Sequence, residues 1–323
     1  MSSEVSSRSD PAPSRAVSPP GTPRARPAHH RPPLRSMLFV PGNRTASWLP
    51  KARAAGADAV ILDLEDALPD TDRAAAVRQV AGALAARAVA GSGPALFVRV
   101  RPLDGWAAVE ELRAVCGPGL SGVVLPKVSG PDDVRFADRL LTWCEHEHDL
   151  AHGTLALAPL LETAGALRDA YGCATAAADR VAHVGAVTGA GGDVERAVGY
   201  RWSPAGHETY ALRARVLLDV RAAGAPHPVA GLWTRIGDLD GLRGFAEQNR
   251  ALGYTGMMAI HPSHVPVLND VFAPSAEELT HAARLIEAVE AAQARGVGAV
   301  TFEGEMVDEA MAATARALLA RHA

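Results

Sequence analysis

Short apolar runs alternate with longer stretches of helical periodicity from residue 36 onward. Apolar runs of about four to eight residues are typical of buried strands, and apolar residues spaced by three and four are typical of helices that cover a sheet. The apolar runs predict eight strands, at Ser36–Val40, Asp58–Leu62, Ala95–Val100, Gly122–Leu125, Leu155–Leu161, Arg180–Val187, Pro228–Trp233 and Gly256–Ile260. Helices are predicted between them, at about 44–55, 72–89, 106–115, 131–148, 163–176, 203–223 and 239–252.

Strands that alternate with helices in this way build a parallel sheet covered by helices. Eight such units fit a (β/α)8 barrel, whose typical length is about 250 residues, better than an open doubly wound sheet. No Gly-x-Gly-x-x-Gly follows the first strand, which removes the main sequence sign of a dinucleotide-binding fold. We therefore predict an α/β protein with a TIM-barrel catalytic domain over residues 34–270.

The chain continues well beyond the eighth predicted strand. A long amphipathic helix is predicted to begin with Ser275 as its N-cap and to end at Gly296 and Gly298. A short strand at Ala299–Phe302, a turn, and a last helix at Met306–Ala320 follow. Residues 271–323 are thus predicted to form a C-terminal helical extension of the barrel.

The first 33 residues have a different composition. They contain eight of the 23 prolines and no aromatic residue, and they cannot bury enough apolar surface to offset the entropy of ordering, so we predict a disordered tail over residues 1–33. Arginine- and serine-rich N-termini also occur in organelle transit peptides, but the prolines interrupt any amphipathic helix here. No apolar run approaches the roughly 20 residues needed to span a bilayer. We expect a cytoplasmic protein.

Charge is distributed unevenly between the tail and the body. The whole chain has 32 Lys and Arg against 36 Asp and Glu, a net charge of −4. The tail carries five arginines against one Glu and one Asp, so its charge is +3 and that of the remaining residues is −7. This balance gives no reason to expect a nucleic acid or a membrane surface as a partner.

Polar residues occur where the predicted strands end, and in a TIM barrel the chemistry lies at the carboxyl ends of the strands. Each of these residues could also have a purely structural role. Glu162 could cap the following helix, and Lys127 could be an ordinary salt-bridge partner at the barrel mouth. The residues in question are Arg44 after strand 1, Asp63, Glu65 and Asp66 after strand 2, Arg99 and Arg101 on strand 3, Lys127 after strand 4, Glu162 after strand 5, Asp193 after strand 6 and His261 after strand 8.

Two features of this set suggest specific chemistry. The carboxylates of Asp63, Glu65 and Asp66 are costly to leave unpaired, so at least one is expected to orient an arginine such as Arg99 or Arg44. Glu162 and Asp193 are too few for a closed calcium cage but suit Mg²⁺, which keeps several waters and takes one or two protein carboxylates. Mn²⁺ would accept the same ligands.

The body of the chain resembles the citrate lyase beta subunit-like branch of the HpcH/HpaI aldolase superfamily. The similarity covers residues 35–313, and the segments together are specific although each alone is weak. They are Arg35–Arg44 (RSMLFVPGNR), Ala59–Asp66 (AVILDLED), Phe97–Val100 (FVRV), Val124–Lys127 (VLPK), Pro159–Thr163 (PLLET), Ala259–Pro262 (AIHP) and Gly304–Asp308 (GEMVD).

The resemblance implies a Mg²⁺-dependent carbon–carbon lyase, or a synthase in reverse, acting on a 3-hydroxyacyl-CoA such as citramalyl-CoA, malyl-CoA or citryl-CoA. It implies Glu162 and Asp193 as metal ligands and Arg99 as a catalytic, substrate-binding arginine. It also implies Asp308 as the catalytic acid/base, carried by an extension that covers the barrel mouth of a neighbouring subunit in a homotrimer or hexamer. Further substrate contacts are expected from Arg44, Asp63, Glu65, Lys127 and His261.

The chain departs from the family pattern at several positions. Arg101 stands where the family usually has asparagine, and Met257 stands where it usually has lysine. The loop before Asp193 is longer and rich in glycine. These departures leave three hypotheses open: the 3-hydroxyacyl-CoA lyase, a metal-dependent aldolase that acts on free 4-hydroxy-2-oxo acids, and a non-catalytic subunit or regulator.

Overall fold

The computed structural model describes residues 31–320. Eight parallel strands form one sheet in the order β6-β5-β4-β3-β2-β1-β8-β7, so that the first and eighth strands are neighbours. The strands are β1 (Ser36–Pro41), β2 (Ala59–Asp63), β3 (Ala95–Arg99), β4 (Gly122–Leu125), β5 (Ala156–Leu161), β6 (Gly185–Ala186), β7 (Val229–Ala230) and β8 (Gly256–Ala259). Backbone hydrogen bonds from His227 N to Ala182 O (3.0 Å) and from Val229 N to Val184 O (3.2 Å) link the two ends of the sheet. The result is a nearly closed barrel, which confirms the predicted (β/α)8 fold.

Ten helices accompany the barrel strands within the described residues. Their apolar faces pack against the outer side of the sheet, where residues such as Leu38, Val60 and Val98 are buried. None of the helices in this part of the chain has the length and apolar character to cross a membrane. The helices are α1 (Thr45–Ala54), α2 (Arg73–Ala90), α3 (Trp106–Val115), α4 (Pro131–Glu147), α5 (Ala164–Arg168), α6 (Ala170–Thr175), α7 (Asp193–Val198), α8 (His207–Ala222), α9 (Leu239–Leu252) and α10 (His264–Val271).

Alternation along the strands positions the charged groups. Successive side chains of a strand point to opposite faces, so every second residue of a barrel strand faces the interior. Residues at alternate positions of β1, β2, β3 and β5 form an apolar cluster inside the barrel, and its members include Met37, Ala59, Ile61, Phe97, Ala156, Ala158 and Leu160. Continuing the same alternation to the carboxyl ends brings Asp63, Arg99 and Glu162 to the top of this interior.

The C-terminal extension has its own small core. It consists of α11 (Ala276–Gln293), β9 (Ala299–Phe302), β10 (Glu305–Asp308) and α12 (Glu309–Ala320), and it buries Val289, Val307 and Ala312 together. Ser275 caps α11 in a reciprocal capping box with Glu278, as the sequence predicts. Glu278 also accepts hydrogen bonds from Arg250 of α9 at 2.8 Å, which ties the extension to the barrel.

Part of the extension differs from the prediction. The helix predicted at Met306–Ala320 begins only at Glu309, because residues 305–308 pair antiparallel with β9 and form a hairpin. Glu303 and Gly304 both adopt positive φ in the turn, and the second of these is favoured by glycine. Asp308 therefore ends a strand rather than lying inside a helix.

Five further differences concern the barrel. The strands predicted at Arg180–Val187 and Pro228–Trp233 are correct in place but are reduced to the two-residue β6 and β7. The helix predicted at 163–176 is interrupted at Asp169, whose side chain caps α6. Helices α7 and α10 are absent from the prediction. The barrel still closes around the same eight strand positions, so the architecture is unaffected.

Most of the predicted disordered tail, residues 1–30, lies outside the described residues. The last part of it contacts the amino-terminal floor of the barrel. Arg31 donates to the carbonyl of Gly153 at 2.6 Å, and the carbonyl of Pro32 lies 3.1 Å from Nε2 of His183. Arg31 and Pro32 therefore pack against the barrel, although the prediction places both of them in the tail.

Candidate active site at the carboxyl ends of the strands

A cavity of about 430 Å³ opens at the carboxyl ends of the barrel strands. Four residues predicted from sequence line it: Asp63, Arg99, Glu162 and Asp193. The rest of the wall is mainly apolar or formed by small residues, and it includes Phe39, Pro41, Trp48, Asp66, Val187, Gly189, Leu232, Thr234 and Ile260. Charged groups from four different strand-to-helix units therefore meet in one concave, largely apolar space, as is usual for the active site of a TIM barrel.

Asp63 holds Arg99 in a fixed orientation. The two residues are register partners at the ends of β2 and β3, so their side chains leave the sheet side by side. Nε and Nη2 of Arg99 donate to the two carboxylate oxygens of Asp63, each at 2.7 Å, and the guanidinium lies 4.9 Å from the ring centre of Phe39. This two-point geometry is the strongest that an arginine and a carboxylate can form. It confirms the expectation that a carboxylate of this cluster orients an arginine.

Two further carboxylates surround the same guanidinium. Nη1 of Arg99 lies 3.0 Å from Oε2 of Glu65 and 3.4 Å from Oδ2 of Asp66. Burial acts to lower the pKa of Arg99, but the hydrogen bonds and charge of Asp63, with the charges of the other two carboxylates, raise its pKa above the ordinary value. Arg99 is therefore a permanent, oriented positive charge at the bottom of the cavity.

Lys127 connects this cluster to Glu162. Its backbone N–H donates to Oε2 of Glu162 at 3.0 Å, and its Nζ lies 2.5 Å from Oε1 of Glu65 and 2.8 Å from Oδ1 of Asp66. Burial raises the pKa of Glu65, whereas for Asp66 the hydrogen bonds from Lys127 and Glu65 outweigh burial and lower the pKa. Lys127 therefore forms salt bridges at the barrel mouth, which is the structural role that the sequence left open for it.

Glu162 and Asp193 face the same cavity from different strand ends. Glu162 does not cap the helix that follows it, because the hydroxyl of Thr163 accepts the N–H of Ala166 and fills that role. Burial raises the pKa of Glu162, and this effect is only partly offset by the hydrogen bond from the Lys127 backbone and the charge of Arg99. Asp193 is the first residue of α7, and it pairs with Arg196 one turn later.

The donor set of these two residues fits a hard divalent cation. Both contribute carboxylate oxygens, which Mg²⁺ and Mn²⁺ prefer. No group of three or more His, Cys, Asp or Glu side chains with metal-binding geometry is found among residues 31–320. A cation at Glu162 and Asp193 would thus have two protein ligands and would leave its other positions to water or substrate, as Mg²⁺ does in many enzymes.

Five predicted site residues do not line the cavity. Glu65 and Lys127 form an ion pair beside it, and Arg44, His261 and Asp308 lie elsewhere. Arg44 is exposed at the start of α1, and His261 forms a hydrogen bond of 2.7 Å with Ser263 beside the cavity-lining Ile260. Asp308 caps α12, since its Oδ1 accepts the N–H groups of Ala310 at 3.0 Å and Met311 at 3.2 Å. None of the five lines the cavity within this chain.

Sequence reasoning also missed or misplaced some residues. Phe39, on which the Arg99 guanidinium lies, is not among the predicted residues, although its place in the inward series of β1 after Met37 is a usable signal. Asp66 is predicted as part of the carboxylate cluster but not as a site residue, yet it lines the cavity. Arg101, which stands where the family usually has asparagine, donates from its Nη2 to Glu111 of α3 at 2.8 Å.

Comparisons with known proteins agree with this geometry. The HpcH/HpaI aldolase/citrate lyase family matches residues 35–262. A citrate lyase subunit beta-like protein of Deinococcus radiodurans is 37% identical over 295 residues, which cover 90% of this chain and 98% of that protein. In Cereibacter sphaeroides, a (3S)-malyl-CoA thioesterase is 32% identical, with 91% and 96% covered, and an L-malyl-CoA/beta-methylmalyl-CoA lyase is 31% identical, with 88% and 93% covered.

A solved structure gives the same result. The protein CitE of Mycobacterium tuberculosis, in complex with magnesium, acetoacetate and coenzyme A, superposes with a TM-score of 0.67 at 27% identity, and the match covers 91% of this chain and 98% of that one. The match covers a larger share of the chain than the barrel domain alone would account for. The chain therefore belongs to the HpcH/HpaI aldolase/citrate lyase family, and its activity is that of a lyase.

Proposed function

We propose that the protein is a Mg²⁺-dependent carbon–carbon lyase that cleaves a 3-hydroxyacyl-CoA, such as citramalyl-CoA, malyl-CoA or citryl-CoA, into acetyl-CoA and a 2-oxo acid. One observation carries the proposal: Arg99, Glu162 and Asp193 line a single cavity at the carboxyl ends of the strands. The fixed positive charge of Arg99 lies beside the carboxylates of Glu162 and Asp193. This arrangement suits a reaction in which negative charge develops on one half of the substrate while the other half already carries a carboxylate.

Glu162 and Asp193 are the residues that would hold the metal. When bound, Mg²⁺ supplies Lewis-acid stabilisation of oxygens on the 2-oxo acid half of the substrate. The backbone N–H of Lys127 supports this role, because it fixes one oxygen of Glu162 and restricts the direction of the other. Related structures with magnesium support the choice of metal, and Mn²⁺ fits the same ligands.

Arg99 would stabilise the enolate of the departing thioester. Nη2 makes one described hydrogen bond, to Asp63, so its second N–H is available to an anionic oxygen in the cavity. Because Asp63 fixes the orientation before substrate arrives, no reorganisation is needed when charge develops on that oxygen. In the cleavage direction the 3-hydroxyl must lose its proton as the carbon–carbon bond breaks and its oxygen becomes the keto oxygen of the 2-oxo acid. An acid must then protonate the enolate carbon, which becomes the methyl group of acetyl-CoA.

Asp308 is proposed as that acid, provided by a neighbouring subunit. Within the chain it lies on the extension and not in the cavity, so an acid/base role requires a second copy in a homotrimer or hexamer. A surface feature supports this arrangement. An open groove of about 1330 Å³ runs along α11 and α12; its apolar lining includes the exposed Met311 and the partly buried Leu318. Such a face is typical of a surface covered by another protein.

The proposal is tested by product analysis with purified protein. Citramalyl-CoA, malyl-CoA and citryl-CoA are each incubated with and without Mg²⁺, and the products are identified by liquid chromatography and mass spectrometry. We expect metal-dependent formation of acetyl-CoA together with pyruvate, glyoxylate or oxaloacetate from at least one substrate. Absence of acetyl-CoA from all three would contradict the proposal.

Two alternatives are separated by the same product analysis once free 4-hydroxy-2-oxo acids are included as substrates. The similarity to a (3S)-malyl-CoA thioesterase favours thioester hydrolysis as a second candidate, which would give free CoA and the intact hydroxy acid. An aldolase acting on free 4-hydroxy-2-oxo acids would release pyruvate from those compounds without any CoA ester. Such an aldolase shares Glu162 and Asp193 but does not need Asp308.

A further inference from the structure

Lysine is rare in this protein, and one of its two lysines lies beside the candidate site. Of the 32 basic residues, 30 are arginines, and the two lysines are Lys51 and Lys127. Lys51 is exposed on α1. A lysine ammonium is a compact point charge with three donors, whereas an arginine guanidinium is a planar fork. A point charge suits a position where several carboxylates converge from different directions.

The contacts of Lys127 match that description. Its Nζ lies 2.5 Å from Glu65, 2.8 Å from Asp66 and 3.9 Å from Oδ2 of Asp193. The side chain is 33% exposed, so solvent screens these charges only in part. Lys127 is thus the cation that reaches from the carboxylates around Arg99 to a proposed metal ligand.

The backbone of Lys127 is also unusual. Its φ is +50°, one of three positive values at non-glycine positions among the described residues. That conformation is strained for a residue with a side chain. Here it directs the N–H to Glu162 while the side chain points to Glu65 and Asp66. One residue therefore contacts both proposed metal ligands, Glu162 through its amide and Asp193 through its charge.

We propose that Lys127 is a positioning residue that limits how tightly this pocket binds a divalent cation, because its ammonium competes with that cation for Asp193 while its amide orients Glu162. The inference rests on the proposed function for the identity of the two metal ligands. A positive charge beside Asp193 repels a divalent cation bound there, and Coulomb's law in a water-exposed site makes this repulsion worth about tenfold in affinity.

The first test compares Mn²⁺ binding in lysine variants of the full-length protein. Mn²⁺ is titrated into the chelator-treated protein without substrate, and the free ion is measured by electron paramagnetic resonance. We expect Lys127→Met to bind Mn²⁺ about tenfold more tightly than the wild type. Lys127→Arg, which keeps the charge, should stay within about threefold. Lys51→Met removes the other lysine and should leave the affinity unchanged.

The direction of the change is the informative result. If Lys127 only held Glu65 and Asp66 in place, its removal would let these side chains move, and Lys127→Met would bind Mn²⁺ more weakly. Unchanged or weaker binding by Lys127→Met, with wild-type binding intact, overturns the role of Lys127 alone. If Glu162→Gln binds Mn²⁺ as tightly as the wild type does, the proposed metal site is overturned as well. The two failures are therefore distinguishable.

A second measurement follows the wild type and needs no variant at Lys127. Selective labelling with ¹³C-lysine gives two Cε–Hε signals, one for each lysine, and mutation of Lys51 assigns them. Titration with diamagnetic Mg²⁺ should shift the Lys127 signal in proportion to metal occupancy and leave the Lys51 signal in place. A Lys127 signal that stays constant while the metal binds would contradict the competition for Asp193.

Discussion

Replacing Asp63 by asparagine tests whether the orientation of Arg99 matters for catalysis. The substitution removes the charge that holds the guanidinium through two hydrogen bonds of 2.7 Å, in a pair whose Asp63 and Arg99 side chains are 2% and 11% exposed. Removing one partner of a buried ion pair costs about 3–5 kcal/mol. Arg99 keeps Glu65 and Asp66, and asparagine keeps one acceptor, so we expect a loss of about 2–3 kcal/mol in the free energy of unfolding.

The effect on activity should be larger than the effect on stability suggests. With Asp63 neutral, the guanidinium is drawn toward Glu65 and Asp66 and no longer points at a substrate oxygen. A misplacement of about 1 Å costs on the order of 100-fold in rate. We therefore expect kcat to fall by about 100-fold in Asp63→Asn under conditions where the variant is folded, as judged by urea denaturation and circular dichroism.

A matched control lies at the other end of β2. Asp58, directly before β2, binds Arg35 through hydrogen bonds of 2.9 and 2.8 Å, in a pair that is 20% and 37% exposed. It lies at the opposite end of the barrel from the cavity. Asp58→Asn should cost about 1 kcal/mol or less and leave turnover unchanged. If Asp63→Asn kept turnover within about threefold of the wild type, the assignment of Arg99 as a fixed electrostatic group would be refuted.

Other changes at Glu162 and Asp308 test the remaining roles. Glu162→Gln should abolish Mn²⁺ binding without loss of stability at neutral pH. The reason is that burial raises the pKa of Glu162 and so already disfavours its charged form in the folded state. Calorimetry would check the binding, and urea denaturation the stability. Because the pKa of Glu162 is raised, the metal affinity of the wild type should begin to fall at a higher pH than it would if the ligand were a glutamate of ordinary pKa. Asp308→Asn should abolish turnover with an unchanged melting temperature, since asparagine is as good a cap of α12 as aspartate; a fully active variant would exclude the acid/base role. Co-expression of Glu162→Gln with Asp308→Asn should restore part of the activity in mixed oligomers, whereas no recovery would place Asp308 outside the neighbouring subunit's site.

The barrel was predictable because its sequence signals are local. Alternation of strands and helices, and polar residues directly after apolar runs, are enough to place Asp63, Arg99 and Glu162 at the same end of one sheet. The lengths of β6 and β7 were not predictable in this way. Both lie in buried apolar runs, and nothing local in those runs marks where strand pairing stops.

The finer features of the site depend on contacts between distant parts of the chain. No local signal shows that Lys127 adopts a left-handed conformation, since such backbones are usually reserved for glycine. The position of Asp193 likewise depends on the short helix α7, which follows a glycine-rich loop without a helical pattern. In the extension, the pairing of residues 305–308 with 299–302 overrides a local preference for helix. In each case a tertiary contact decides what the sequence leaves open.

The central claim is that the cavity at the strand ends holds the metal of a lyase between Glu162 and Asp193. Crystals grown with Mn²⁺ and a 2-oxo acid, measured at a wavelength where manganese scatters anomalously, test it most directly. We predict an anomalous peak within coordination distance of both carboxylates, with the 2-oxo acid bound to the same ion. A peak elsewhere, with none between these two side chains, would contradict the account.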